Sequence, residues 1–271
     1  MPIFNRESAE NNFIHKLNAT PQGMAATRTN LMRILRSIDL VGWSSHEESG
    51  RLDRKALHRY AAGSANVFKR RTVSEAETSA VSVMIDCSGS MNWGGGRIQV
   101  AETVAIQLAK LLEKSGADFA ITGFRGGRDG HTFTESGANQ TSVTVRGEDL
   151  QLIPFKTWGE SLRKAGAKLG TIHQWAGSGT PDYSALSHAI EDIAKRPQTR
   201  KIVFVLTDAD GFDRSHIEHL QNLAKYQGIK IVAIGIETYE IEKVFTHAAS
   251  VNKIDDLASV AFNTLLKSLR R

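Results

Sequence analysis

The sequence predicts an α/β fold with a doubly wound, mainly parallel central sheet and helices on both of its faces. Three observations lead to this prediction. Short apolar runs rich in β-branched residues, such as AVSVMID, KIVFVLTD and IKIVAIGI, are typical of strands buried on both faces. Amphipathic stretches of helical length separate these runs along the chain. Strands that alternate with helices in this way form mainly parallel sheets through crossover connections.

The predicted elements follow one another after residue 77. Pro181 favours a helix that starts at residue 182, and Gly116 follows a helix that stops before it. The Thr/Val alternation of TSVTV indicates an edge strand or a hairpin. The expected strands are 80–86, 117–124, 153–158, 201–208 and 229–236, and the expected helices are 97–114, 160–169, 182–195, 214–226 and 255–269.

Residues 1–76 are predicted to form a small helical N-terminal segment before a main domain at 77–271. Leu31, Ile34, Leu35 and Ile38 fall at helical spacing, and a second helix is expected over 51–60. No strand pattern stands out in this segment.

The net charge of +5 belongs to the same N-terminal segment. It holds 12 Lys/Arg against 7 Asp/Glu, whereas the rest of the chain holds 22 of each. A nucleic-acid surface is one interpretation of this excess. Lys69-Arg70-Arg71 is the only tight basic cluster, so we favour an ordinary solvated helical surface and expect no nucleic-acid partner.

Composition indicates a cytoplasmic protein that does not enter a membrane. No run approaches the roughly 18 apolar residues needed to span a bilayer. The first residues are polar and acidic where a signal peptide has an apolar region. Cys87 is the only cysteine, so an internal disulfide is excluded and a reducing compartment is expected.

Polar side chains cluster where ligands bind in such folds, beyond the carboxyl ends of the parallel strands. Asp86, Ser88 and Ser90 leave the first strand of the domain, Thr180 precedes a helix, and Asp208 leaves the VFVL strand. These carboxylates and hydroxyls come without paired His or Cys. Ligands that are all oxygen favour Mg²⁺, Mn²⁺ or Ca²⁺ over zinc, and we expect Mg²⁺.

The run V-M-I-D-C-S-G-S-M resembles the first loop of the metal-ion-dependent adhesion site of von Willebrand factor A domains, whose fold is Rossmann-like. The family pattern continues with a later Thr and with an Asp after a central strand, places that Thr180 and Asp208 occupy. The resemblance implies that Ser88, Ser90 and Thr180 coordinate the metal directly. It implies that Asp86 and Asp208 contribute directly or through bound water, and that a partner's carboxylate or water completes the coordination.

A narrower resemblance is to the T subunit of aerobic cobaltochelatase. It rests on GRLD at 50–53 with Phe68-Lys69, on Trp158 with Arg163 and Lys164, on KRPQTR at 195–200 and on the C-terminal DDLASVAFNTLLKSL. In that family the subunit joins an AAA+ ATPase in a complex that acts on a large metal-inserting subunit. The resemblance implies a non-catalytic adaptor with an AAA+ ATPase partner of the chelatase or MoxR kind, and possible action on a large chelatase-type client. The long acidic region of that family is missing, so we expect a shortened form.

An enzyme is the alternative hypothesis, with Asp86 as the nucleophile of a metal-dependent phosphoryl-transfer hydrolase. Such enzymes commonly place a second Asp two residues later, where this chain has Ser88.

His216 and His219 have metal-ligand spacing on a predicted helix, but no third ligand is indicated, so a solvated face is favoured. Asp210 is interpreted as a solvated loop residue, and Trp93 as a residue of the site's rim or a cover for the next helix.

Overall fold

The computed structural model describes residues 5–19, 41–61, 63–64, 66–73, 79–93, 96–127, 133–135, 140–144 and 149–251. The chain divides into two compact units, Ser37–Glu77 and a larger unit made of Met1–Arg36 together with Thr78–Arg271. In chain order the elements are α1 (Arg6–Asn18), β1 (Val41–Glu47), β2 (Arg51–Leu52), α2 (Leu57–Ala61), β3 (Phe68–Val73), β4 (Ser79–Asp86), α3 (Arg97–Ser115), β5 (Asp118–Arg125), β6 (Phe133–Glu135), β7 (Gln140–Thr144), β8 (Gln151–Lys156), α4 (Leu162–Leu169), α5 (Asp182–Ala194), β9 (Arg200–Thr207), α6 (Arg214–Tyr226), β10 (Ile229–Ile236), α7 (Ile241–Val244) and β11 (Ala248–Val251).

The central sheet lies in the larger unit. Among the described residues it has eight strands in the order β11-β10-β9-β4-β5-β8-β7-β6. The strands from β11 to β5 are parallel, and β8, β7 and β6 continue the sheet in antiparallel pairs. The predicted α/β fold with a mainly parallel sheet is therefore confirmed, and residues 141–144 of the TSVTV run lie in β7, which pairs with β6.

Apolar side chains of the parallel strands alternate between two cores, one on each face of the sheet. In β4, Val83 and Ile85 belong to the core that α3 covers, whereas Ala80 and Met84 belong to the core under α5 and α6. All eight residues of β4 are buried, as the continuous apolar run predicts. Within the described residues, no helix is long and apolar enough to cross a bilayer.

Helix α1 is part of the larger unit, although its sequence position lies in the predicted N-terminal segment. The ring of Phe13 packs against Gly166 of α4, where a Cβ atom would lie 2.9 Å from the ring. Asn12 donates to the carbonyl of Gly170 at 2.9 Å and to Glu102 of α3 at 3.1 Å, and the ammonium of Lys16 also binds Glu102. The helix is thus held by one aromatic contact and a buried polar cluster.

The smaller unit contains strands that the sequence analysis did not predict. In the described residues, β1, β3 and β2 form a three-stranded antiparallel sheet in that order. The helix expected over 51–60 is reduced to α2, because residues 51–52 pair with β3 and residues 54–56 form a 3₁₀ turn. The expected helices at 31–38 and 255–269 lie outside the described residues.

Candidate metal centre

Asp86 ends β4 and is held rigidly beneath the loop that follows. Its carboxylate is fully buried. One oxygen accepts the backbone N–H of Ser88 at 2.8 Å, and the other accepts the hydroxyl of Thr207 at 2.6 Å. Thr207 is the last residue of the neighbouring strand β9, so the carboxylate ties the ends of two parallel strands together. The role of Thr207 could not be predicted from the sequence, because it depends on this pairing.

The hydroxyls of Ser88 and Ser90 and the carboxylate of Asp208 form a continuous row of oxygen atoms. The two hydroxyl oxygens lie 3.0 Å apart, and Ser90 Oγ lies 3.2 Å from Asp208 Oδ1. Asp208 Oδ1 also accepts the backbone N–H of Asp210 at 3.1 Å, and the Asp208 side chain is buried. The structure therefore brings four of the predicted site residues together: Asp86, Ser88, Ser90 and Asp208.

Thr180 lies in a loop that is joined to the first loop through the backbone. The N–H of Gly89 donates to the carbonyl of Ser178, and the N–H of Gly177 donates to the carbonyl of Cys87, each at 2.9 Å. A Cβ atom at Gly211, in the loop after β9, would lie 3.9 Å from Thr180 Oγ1. Thr180 therefore lies next to the loop after β9, whereas its hydroxyl forms no hydrogen bond with the other predicted site residues among those described.

Close approach of the backbones requires glycine at the end of β5. The N–H of Gly126 donates to the carbonyl of Gly179 at 2.8 Å, and a Cβ atom at Gly126 would lie 2.8 Å from the nitrogen of Gly179. A side chain there would push the Thr180 loop away from the sheet. The role of Gly126 was not predicted, because nothing in the sequence shows which loops meet.

Burial governs the electrostatics of the site. It raises the pKa of Asp86 to about 6, with a smaller contribution in the same direction from Asp208, while the hydrogen bonds from Thr207 and Ser88 act against the rise. Burial also raises the pKa of Cys87, which keeps its thiol protonated. The donors to the Asp86 carboxylate, a backbone N–H and a hydroxyl, carry no charge.

Arg97 brings a positive charge to this site and was not predicted from the sequence. It is the first residue of α3, and its Nη1 donates to Asp208 Oδ2 at 3.0 Å. On its other side, Nε lies 3.6 Å from the carboxylate of Glu237, in the loop after β10. One guanidinium therefore connects two carboxylates from different loops.

The arrangement of oxygen atoms fits a divalent cation with oxygen ligands. Neighbouring ligands of an octahedral ion with bonds of 2.0–2.1 Å are about 2.8 to 3.0 Å apart, against about 3.3 to 3.7 Å for calcium bond lengths. The observed separations are 3.0 and 3.2 Å. In the part of the chain that the structure describes, no group of three or more His, Cys, Asp and Glu side chains is placed to hold a metal ion. The serine, threonine and aspartate oxygens are thus the candidate ligands.

The other residues singled out from the sequence lie on exposed surface. Trp93 is 72% exposed, and its backbone N–H donates to the carbonyl of Ser90, which places the residue at the rim of the site. Asp210 is exposed beside Asp208. His216 and His219 are exposed on α6, where their rings lie 5.3 and 6.5 Å from the ring of Tyr183.

Comparisons with known proteins agree with the sequence motif. Residues 67–269 match the family described as "Cobalamin biosynthesis protein CobT VWA domain". Solved structures that resemble the chain include an aerotolerance-related membrane protein from Bacteroides fragilis, with 14% identity over 58% of this chain and 67% of that one, at a TM-score of 0.42. Manganese-loaded TRAP from Plasmodium vivax has 15% identity over 59% and 57%, at a TM-score of 0.38.

A third similar structure is proximal thread matrix protein 1 from the mussel byssus, with a zinc-occupied MIDAS motif. It has 16% identity over 71% of this chain and 48% of that one, at a TM-score of 0.44. The chain therefore spans about half to two thirds of the length of these three proteins.

Proposed function

This chain belongs to the family of CobT VWA domains, and on that premise we propose that it is a metal-dependent protein-interaction adaptor. Its metal centre holds Mg²⁺ through the hydroxyls of Ser88, Ser90 and Thr180. Asp86 and Asp208 orient these groups and contribute negative charge, directly or through bound water. When bound, the cation supplies a position to which a carboxylate of a partner protein coordinates.

The observation that carries this proposal is the row of three oxygen atoms from Ser88, Ser90 and Asp208. Serine hydroxyls carry no charge, so two of them beside buried carboxylates leave negative charge to be compensated by a cation. The 3.0 Å separation of the two hydroxyl oxygens lies within the ligand spacing of Mg²⁺, and the 3.2 Å separation of Ser90 Oγ and Asp208 Oδ1 lies between that spacing and the spacing of Ca²⁺. We therefore propose Mg²⁺ as the resident ion.

The geometry favours docking over catalysis. A nucleophilic aspartate needs a free oxygen that faces the substrate, whereas Asp86 is fully buried and accepts a hydrogen bond at each oxygen. The alternative of a phosphoryl-transfer hydrolase with Asp86 as nucleophile is disfavoured for this reason. Assays with generic phosphatase substrates should show no turnover in the presence of Mg²⁺.

We propose a cytoplasmic AAA+ ATPase of the MoxR or chelatase kind as the partner. Membership of the CobT family supports a role as a subunit of a protein complex. The site supports a metal-dependent contact, because a carboxylate that completes the coordination gains a charge-assisted bond that depends on the cation. A large chelatase-type client would bind to the assembled complex.

The test is a pull-down of such an ATPase from the same organism with the full chain. We expect binding in MgCl₂ that is lost in EDTA and lost in an Asp86→Ala, Ser88→Ala double variant. Asp210→Asn is the matched control, because Asp210 lies beside the site but points to solvent, and it should bind like the unaltered chain. Undiminished binding by the double variant would contradict the proposed metal bridge.

A further inference from the structure

Arg97 joins the first and third loops of the metal centre to a further loop. Its side chain is 27% exposed, and the Asp208 side chain to which it donates is fully buried. Glu237, on its other side, is 32% exposed and has a left-handed backbone with φ of 53°. The N–H of Glu237 donates to the carbonyl of Val251 at the end of β11, which fixes this residue on the sheet. Arg97 therefore faces a carboxylate on each of two sides, with a hydrogen bond to Asp208 and a longer ion pair to Glu237.

The two oxygens of Asp208 have different partners. Oδ1 belongs to the oxygen row, since it contacts Ser90 Oγ and the N–H of Asp210. Oδ2 is taken by Arg97 at 3.0 Å. A guanidinium stays charged at every physiological pH. One of the two site carboxylates is thus paired with a permanent cation before any metal ion arrives.

We propose that Arg97 is a built-in counter-ion that lowers the metal affinity of the free protein, so that the metal is retained firmly only when a partner carboxylate restores the missing negative charge. This inference rests on the proposed metal-dependent docking. A metal ion bound at Asp208 Oδ1 would share this carboxylate with the guanidinium at Oδ2, and the repulsion between two cations at a partly buried site is worth about a tenfold change in affinity. Metal and partner therefore bind cooperatively, since each is favoured by the other.

A purely structural role for Arg97 gives the opposite result. If Arg97 only held Asp208 in position, its removal would release the carboxylate and weaken metal binding. If its charge dominates, its removal strengthens metal binding. The sign of the change in metal affinity therefore separates the two roles. A lysine at position 97 should keep the effect of the positive charge, although it lacks the planar guanidinium.

The experiment is calorimetric titration of the full chain with MgCl₂ and with MnCl₂, without a partner. We expect Arg97→Gln to bind metal roughly tenfold more tightly than the unaltered chain, and Arg97→Lys to stay within about threefold of it. Glu237→Gln leaves the charge of Arg97 uncompensated and should weaken binding by about threefold. The Arg97→Gln, Glu237→Gln double variant should lie between the two single variants. Circular dichroism checks that each variant is folded.

The outcomes distinguish this inference from the proposed function. Tighter binding by Arg97→Gln, with near-normal binding by Arg97→Lys, supports the role of the charge. If the unaltered chain binds metal and folded Arg97→Gln binds it equally or more weakly, the counter-ion role is wrong and the docking function stands. If neither the unaltered chain nor any variant binds metal, both proposals fail.

Discussion

The larger unit contains two clusters of buried carboxylates, and they are neutralised in different ways. Glu102 of α3 is fully buried and is surrounded by groups of the chain itself: the ammonium of Lys16, the amide of Asn12 and Nδ1 of His173 at 3.1 Å. Asp86 and Asp208 are equally buried, but they contact mostly hydroxyls and backbone N–H groups, with Arg97 as the only cation among their described contacts.

This difference separates a structural cluster from a binding site. The ammonium of Lys16 on α1 balances the charge of Glu102. This ion pair helps to hold the helix on the larger unit. The carboxylate of Asp86 contacts only neutral donors, and its burial raises its pKa to about 6. A deficit of positive charge in a rigid cage of oxygen atoms is what a divalent cation can fill.

The largest expected effect comes from breaking the structural cluster. Lys16→Met should lower the free energy of unfolding by about 4 kcal/mol, because it leaves a buried charge without its cation. Urea denaturation of the full chain measures this loss. Arg6→Gln on the same helix is the control, since the Arg6–Glu10 pair is exposed and worth about 0.5 kcal/mol or less. A loss below about 1 kcal/mol for Lys16→Met would show that Asn12 and His173 stabilise the buried charge of Glu102 without the help of Lys16.

The next effect belongs to the metal centre. MgCl₂ at a concentration a hundredfold above its Kd should stabilise the chain by about 2.7 kcal/mol. Asp86→Ala should abolish this gain, as judged by the thermal unfolding midpoint with and without MgCl₂. Asp210→Asn and Lys16→Met should both retain it. Loss of the magnesium effect in Lys16→Met would mean that the two clusters are coupled.

The third expected effect is a dependence of stability on pH. The folded-state pKa of Asp86 is about 6, above its ordinary value of 3.8, so its protonated form stabilises the metal-free protein at low pH and this contribution is lost as the pH rises through 6. The expected loss is about 1.4 kcal/mol between pH 5 and pH 8.

Urea midpoints across this pH range, measured in EDTA, test the titration of Asp86. In Asp86→Asn this part of the pH dependence should disappear. With MgCl₂ the sign reverses, because the ionised carboxylate favours the cation and the stabilisation by magnesium grows with pH. An identical pH profile in Asp86→Asn would assign the titration to another group.

The smallest expected effect is that of His173→Gln. The amide of glutamine can still donate to Glu102 while Lys16 keeps the counter-charge, so the loss should be about 0.5 to 1 kcal/mol. A urea midpoint shift as large as that of Lys16→Met would show that His173, and not Lys16, carries the compensation of Glu102.

The sequence predicted the larger unit well because its signals are local. The apolar runs of β4, β9 and β10 are continuous, and the ligand residues follow these strands directly, so the fold and the motif could be recognised together. The strands of the smaller unit had no such signal. β1 is half polar, β2 has two residues, and their partner β3 is distant in sequence, so pairing and not local pattern determines them.

The ion pairs of the larger unit could not be predicted from the sequence, because each joins two charges that are far apart in the chain. Arg97 and Asp208 are 111 residues apart, and 34 Lys and Arg residues were equal candidates for such a pair. The same holds for Lys16 and Glu102, which are 86 residues apart. Helix α1 buries only Ala9 and Phe13 among its described residues, so its apolar pattern gave no sign that it packs on the larger unit.

The Asp86–Ser90 loop and the Thr180 loop are tied to each other and to the end of β5 through main-chain atoms, by the hydrogen bonds of Gly89, Gly126 and Gly177. The relative position of these two loops is therefore set by the backbone, whereas the ligand atoms belong to side chains. For protein engineering, this separation means that substitutions at Ser88, Ser90, Thr180 or Arg97 can change the preferred cation while the two loops keep their positions.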